Sequence, residues 1–317
     1  MRNLRRLAPL PVIVLCLSYV QGVRAEPATR PAVEKPTFLR LVDNGRAGGR
    51  LEAAVVTYKN DKGQRVDLVS AVHIGERSYF EALANSFDNY DAVLYELVKP
   101  KDGGLPVAGQ ESGSAIGKMQ RFLKDSLNLE FQLDCIDYTK KNFVHADLDA
   151  ETFERLQKER GETFPQLLLK AFQKAMSDPG AMGAQAQDPG QMLRDLVGML
   201  TRPDMERQLK LLLARQMQDL EAQTAGFAGA DGKSVIVHER NTKALQVLKD
   251  TLAGGKKNVA IFYGAAHMPD IHDHLVADLG FRPVHTEYKL AWDLTIRVDQ
   301  PSAIEQLLEG ALKALDE

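Results

Sequence analysis

The sequence predicts an α/β fold: a mixed, mainly parallel sheet with flanking helices and a mostly helical insertion. The continuous apolar run of DAVLYELV, residues 91–98, is that of a strand buried on both faces, the usual state of a parallel strand. Just before it, SYFEALANSFDNY spaces Phe80, Leu83, Ala84 and Phe87 at helical intervals, so the segment reads as strand, helix, strand with a right-handed crossover. LEAAVVTYKNDKGQRVDLVSAVHIG divides at Asn60-Asp61-Lys62-Gly63, a turn composition that joins two β-rich runs as a hairpin.

The chain opens with MRNLRRLAPLPVIVLCLSYVQGVRA, in which Arg2, Arg5 and Arg6 precede an apolar run and Val23 and Ala25 form a small-residue cleavage signal. Pro9 and Pro11 interrupt that run, which falls short of the ~20 apolar residues of a membrane span. Residues 1–25 are therefore expected to be a signal peptide, leaving no membrane span after cleavage and an exported protein, periplasmic or secreted. EPATRPAVEKP, residues 26–36, has the composition of a tether. Residues 37–317 are expected to form one domain, with folding beginning near Phe38.

Beyond the crossover, residues 102–114 are rich in Gly and Ser and read as a loop. IGKMQRFLKDSLNL is helical by the spacing of Ile116, Met119, Leu123 and Leu127, and further helical patterns cover about 150–177 and 191–222, around the flexible DPGAMGAQAQDPG. Residues of about 115–225 are thus expected to be a mostly helical insertion capping the site, its methionines (Met182, Met192, Met199, Met205, Met217) filling gaps in packing. SVIVHERN is expected to resume the sheet as a strand. TKALQVLKDTLAGG follows as a helix capped at Gly254-Gly255, then NVAIFYGAAHMP as strand and loop. DIHDHLVADLG fits a helix ending at Gly280, and FRPVHTEYKLAWDLTIRV supplies one or two antiparallel edge strands.

Open α/β sheets bind ligands beyond the carboxyl ends of their strands. His73 follows LVSAV, Glu96 follows AVLY, Glu239 follows VIVH and His267 follows AIFYGAA, so the expected strand ends deliver four ionisable groups to one rim, joined by Arg240. Two hydrolytic arrangements suit these residue types. In one, His73, His267 and Glu96 hold a divalent metal ion, Glu239 is general base and Arg240 stabilises the oxyanion. In the other, His73 or Glu239 deprotonates water directly, Glu96 orients the imidazole and Arg240 polarises the carbonyl. Structural roles stand beside these: Glu239 and Arg240 as an ion pair, Gly264 as a tight turn, His145 with Asp147 as an orienting segment, His272 and His274 as surface residues, and Tyr288 and Trp292 as core or edge residues. If SVIVHE is a strand, only one of His238 and Glu239 faces the rim.

The SAVHIG segment, the LYELV strand, the HERN tetrapeptide and YGAAHMP stand in the order and approximate spacing of the TraB/GumN/Tiki family, which the chain resembles over about residues 50–295. The family pattern places two Gly-x-x-His motifs around acidic and Glu-Arg-Asn elements. By position, His73 and His267 match the motif histidines, Glu96 the strand-end acid, and Glu239-Arg240-Asn241 the acid-basic-amide group. Ser70 departs from the pattern, standing where the first motif has Gly. The resemblance implies a fold akin to the erythromycin esterase and haem-binding ChaN-like proteins and, for the Tiki branch, metal-dependent proteolysis with manganese, cobalt or zinc as candidate ions. It also implies an alternative, a non-catalytic protein binding haem or a peptide.

Charge and cysteine content narrow the partners. The leader carries four basic and no acidic residues, so its removal takes the formal net charge from −3 to −7, against a nucleic-acid partner and in favour of a peptide or small-molecule substrate. Cys16 leaves with the leader, so Cys135 in FQLDCIDY has no internal disulfide partner and is expected to pack. The sequence does not fix an oligomeric state.

Overall fold

The hairpin expected at Asn60–Gly63 opens the sheet. In the computed structural model, which describes residues 35–45, 48–105, 127–161, 204–223 and 235–295, β1 (Leu39–Asp43), β2 (Gly49–Lys59) and β3 (Arg65–Ala71) pair antiparallel. Gly63 takes φ 73°, and Asn60 Oδ1 accepts from the amides of Lys62 and Gln64, which closes the turn. The signal peptide, residues 26–34 of the tether, most of the expected loop at 102–114, the Ile116–Leu123 helical spacing and DPGAMGAQAQDPG lie outside the described residues.

After β4 (Ile74–Gly75) come α1 (Arg77–Phe87), β5 (Ala92–Tyr95), β6 (Glu130–Phe131), α2 (Gln132–Cys135) and β7 (Phe143–His145). Then follow α3 (Ala150–Arg160), α4 (Met205–Gln223) and a π-helical turn, Val235–Glu239, that runs straight into α5 (Arg240–Ala253). β8 (Asn258–Gly264), a 3₁₀ turn (Ala265–His267), α6 (Met268–Ala277) and β9 (Arg282–Asp293) complete the described chain.

Among the described residues seven strands form one mixed sheet in which β3, β8, β5 and β7 are parallel neighbours in that order. β8, the last of these in sequence, inserts between β3 and β5, so the α1 crossover skips one strand. Glu52 pairs β1 and β9, and Val55 pairs β3 and β9, so β9 lines one whole edge of β2 while β1 and β3 share the other. Alternation along the strands divides the core into two layers. Val69, Val93, Tyr95 and Phe262 meet Tyr79, Phe80, Leu83 and Phe87 of α1, the helical stripe read from the sequence. On the other face Leu68, Leu94, Ile261 and Tyr263 meet Ala244 and Leu248 of α5 and Ile271 and Leu275 of α6. Each buried aliphatic or aromatic side chain contributes about 1.5–3 kcal/mol relative to exposure, so both helical layers are held by the same strands. Cys135 packs half-buried against the first layer.

α4 is fastened through charge. Lys210, wholly buried, reaches Glu76 Oε1 at 3.0 Å, Glu206 Oε1 at 2.9 Å and the Asp293 carbonyl at 3.3 Å. The same helix lies near the 3₁₀ turn that carries His267. No helix among the described residues is long and apolar enough to cross a membrane.

Two expectations are corrected. Phe143–His145, inside the stretch expected to be a helical insertion, is a strand of the main sheet paired with β5, because a three-residue strand is too short to show a period in the sequence. SVIVHERN is not a strand: Val235–Glu239 is helical and continuous with α5. A short β-branched run cannot be told from a buried helix by periodicity alone, and here the buried stripe Asn241, Ala244, Leu245, Leu248 carries the helix.

Candidate functional site

Each of the four parallel strands delivers one polar side chain at its carboxyl end. In sheet order these are His73, His267, Glu96 and Asp147, following β3, β8, β5 and β7 by two, three, one and two residues. Three of the four expected exits are therefore right, and the fourth belongs to Asp147 rather than Glu239. Arg240, first residue of α5, binds the row together. Its Nε and Nη2 donate in parallel to Asp147 Oδ1 at 2.9 Å and Oδ2 at 2.5 Å, and Nη2 also donates to Glu96 Oε1 at 2.7 Å. Glu96 Oε2 accepts from the Gly264 amide at 2.6 Å, so both of its oxygens are engaged.

The hydrogen bonds fix both histidine tautomers. Asn241 Nδ2 donates to the Asp270 carboxylate at 2.8 Å, which turns its Oδ1 to His267 Nδ1 at 2.7 Å. Nδ1 of His267 thus carries the proton, and its Nε2 presents a lone pair, 3.5 Å from Arg240 Nη1 and 3.6 Å from Glu96 Oε1. Gln132 repeats the arrangement: its Nε2 donates to Tyr138 Oη at 2.8 Å and its Oε1 faces His73 Nδ1 at 3.2 Å, leaving His73 Nε2 towards Gly264. His267 is buried, whereas His73 is exposed at the mouth. Gln132, not Glu96, orients His73.

Burial pushes the His267 imidazole down against the pull of Glu96, so it is neutral at neutral pH. For Glu96, burial works upward, but in the acid range, where His267 is charged, the positive field of His267, Arg240 and His73 and the Gly264 N–H outweigh it and hold the carboxyl at about 2. Burial works against the Arg240 charge as well, yet its bonds to Asp147 and the Glu96 charge raise it above the ordinary guanidinium value.

Glu239 is not brought to this cluster. Consecutive helical residues diverge by about 100°, and its Oε1 turns to Arg160 Nη2 of α3 at 2.6 Å. It therefore pairs with Arg160 rather than with Arg240. His145 is structural, with Nε2 2.6 Å from the Leu97 carbonyl. His272, expected at the surface, is buried, its Nδ1 2.7 Å from Tyr58 Oη, because it belongs to the Met268, Ile271, His272, Leu275 stripe of α6. Trp292 is buried, donating to the Ile74 carbonyl at 2.6 Å. Ser70 lies inside β3, its Oγ buried without a hydrogen-bond partner among the described residues.

A metal ion on His73, Glu96 and His267 does not fit the site as arranged. The Arg240 guanidinium stands where the ion would, within hydrogen-bond reach of Glu96 Oε1 and facing His267 Nε2, and an ion there would have to displace it. Among the described residues another group is spaced for a metal: one ligand atom each from His238, Asp270 and His274, all half-buried, lies within 4.8 Å of the others.

Gly264 is required for space, not for its backbone angles, which are φ −54° and ψ 143°. A Cβ there would lie 3.3 Å from Glu96 Oε2 and 3.4 Å from His73 Nε2. Gly264→Ala is expected to leave the global unfolding midpoint within about 1 kcal/mol of wild type. The displacement should appear at the site, as a changed His73 side-chain signal in the imidazole NMR spectrum; an unaltered His73 resonance would refute that close approach.

Comparison of the chain with protein-family models, curated proteins and solved structures gives no match.

Proposed function

We propose that this chain is an exported hydrolase of amide or ester bonds in a peptide or small-molecule substrate, as its resemblance to the TraB/GumN/Tiki pattern implies. The observation that carries the reading is a pair of imidazoles, each held at Nδ1 by a side-chain amide, that converge on Gly264, His267 Nε2 facing a buried guanidinium. His73, the exposed member, is the general base. Its Nε2 takes a proton from water as the water oxygen bonds to the substrate carbonyl carbon, and Arg240 Nη1, the nitrogen with no carboxylate partner among the described residues, donates to the developing oxyanion. The carbonyl then reforms, the bond to the amine or alkoxide breaks, and His73 returns its proton to that leaving group. Glu96 and Asp147 hold Arg240 in place, and neutral His267 accepts from it. A metal-dependent peptidase using His73, Glu96 and His267 has less support, because it requires Arg240 to leave Glu96.

The test is a panel of chromogenic esters and fluorogenic peptides with wild type, His73→Ala and Glu239→Gln. For a cleaved substrate, His73→Ala is expected to lower kcat/KM by about 10²–10⁴ with Glu239→Gln near wild type. Full activity in folded His73→Ala would remove the reading, and equal losses in the two variants would move the base to Glu239.

A further inference from the structure

The acidic and imidazole side chains on the outer face of α6 follow a different logic from the rim. Asp270, His274 and Asp278 recur every fourth residue and so share one face of the helix. His238 reaches the same place from the π-helical turn before α5, its ring centroid 6.4 Å from that of His274. We propose that His238, Asp270 and His274 form a binding site for a divalent cation of the zinc or cobalt class, separate from the Arg240 cluster.

The hydrogen bonds around His274 carry the inference. Its Nδ1 lies 2.6 Å from Asp278 Oδ2, and since a carboxylate only accepts, Nδ1 bears the proton. Nε2 is turned to Asp270 Oδ1 across 3.9 Å, too far for a hydrogen bond. A cation with bonds of about 2.0–2.2 Å to nitrogen and oxygen spans that gap. Carboxylate, imidazole and ion in line is the arrangement in which an outer carboxylate fixes the tautomer and orientation of a ligating histidine. Asp270 has its other oxygen, Oδ2, occupied by Asn241 Nδ2 at 2.8 Å, leaving Oδ1 for the ion. His238 completes a set of two nitrogens and one oxygen, which suits a borderline divalent ion and leaves a further position for water. The ion also reaches the rim indirectly: it fixes Asp270, Asp270 orients Asn241, and Asn241 holds the proton side of His267. Asp270 and Asn241 are positioning residues in that chain. Cation binding itself does not depend on the hydrolytic reading.

The experiment is titration of the chelator-stripped full chain with cobalt(II), followed by its visible absorption, and competition with zinc. One equivalent of cobalt is expected to give ligand-field bands that zinc abolishes. His238→Ala and His274→Ala should lose the bands, Asp278→Asn should weaken binding about 10–100-fold, and His73→Ala should bind as wild type. If an alanine variant does not fold by circular dichroism, His274→Gln replaces it, since His274 is half-exposed and glutamine keeps a polar side chain there. Absence of both bands and bound zinc in folded wild type overturns the proposal. So do bands that survive loss of His238 and His274, or bands lost with His73 instead. Failure of the hydrolysis assay with cobalt binding intact leaves this site standing, because the two tests use different residues.

Discussion

Replacing Arg240 by methionine is expected to lower the stability of the protein by about 3–5 kcal/mol, read as a lower urea midpoint with an unchanged slope. The guanidinium is the shared partner of two carboxylates whose side chains are 8% and 0% exposed, Glu96 and Asp147. Methionine fills much of the same volume but leaves both acids buried, and removing one member of a buried network costs more than the network contributes as a whole. Arg240→Lys keeps the charge but not the parallel pair of donors to Asp147, so it should fall between wild type and methionine. The pH dependence distinguishes this cause from simple repacking. Without Arg240 the Glu96 carboxyl is easier to protonate, so the loss should be smaller at pH 4 than at pH 7. A methionine variant within about 0.5 kcal/mol of wild type at pH 7 would show that the network is not holding the rim together.

What the sequence makes legible here is whatever repeats along it. The hairpin, the α1 stripe, the apolar strands and the cap glycines each have a local signature, and His73, Glu96 and His267 were found by a rule about where strands end. Asp147 follows the same rule, since FVHADL is an apolar pair leading into polar residues, but β7 is too short to stand out from its surroundings. Glu239 was misplaced because VIVH reads as a strand. Once the segment is helical, Arg240 turns to the rim and Glu239 to Arg160. Gln132 had no signal at all: its contact with His73 joins residues far apart in the chain, and nothing in QLDC marks the glutamine. The His238, Asp270, His274 group was half visible, in the four-residue spacing of α6, yet His238 joins it only through the same helical turn. The misplacement of Glu239 and the missed place of His238 therefore share one source, a single local choice between strand and helix.

The acid limb of the stability curve should carry the signature of Glu96. Its carboxyl is held at about 2 in the folded protein against 4.5 when free, with burial opposing and the charges of His267, Arg240 and His73 and the Gly264 N–H prevailing. A depressed folded value means that the unfolded chain takes up the proton first as pH falls. The stabilisation is therefore fully present above about 4.5, declines through the interval and is gone below about 2. The gap corresponds to about 3 kcal/mol, to be read from unfolding free energies between pH 5 and pH 2. Glu96→Gln supplies the reference. Glutamine has one oxygen for the two donors that Glu96 serves, Arg240 Nη2 and the Gly264 amide, so its NH₂ must face one of them. The variant should be less stable than wild type at pH 7 by about that same 3 kcal/mol or more, since an unpaired donor is added to the lost charge. The charge of Glu96 is what the two proteins differ in, so the two curves should converge as pH falls from 4.5 to 2. Curves that stay parallel over that window would mean that the Glu96 carboxyl is not held down by its neighbours, and that the positive side chains around it are neutralised elsewhere.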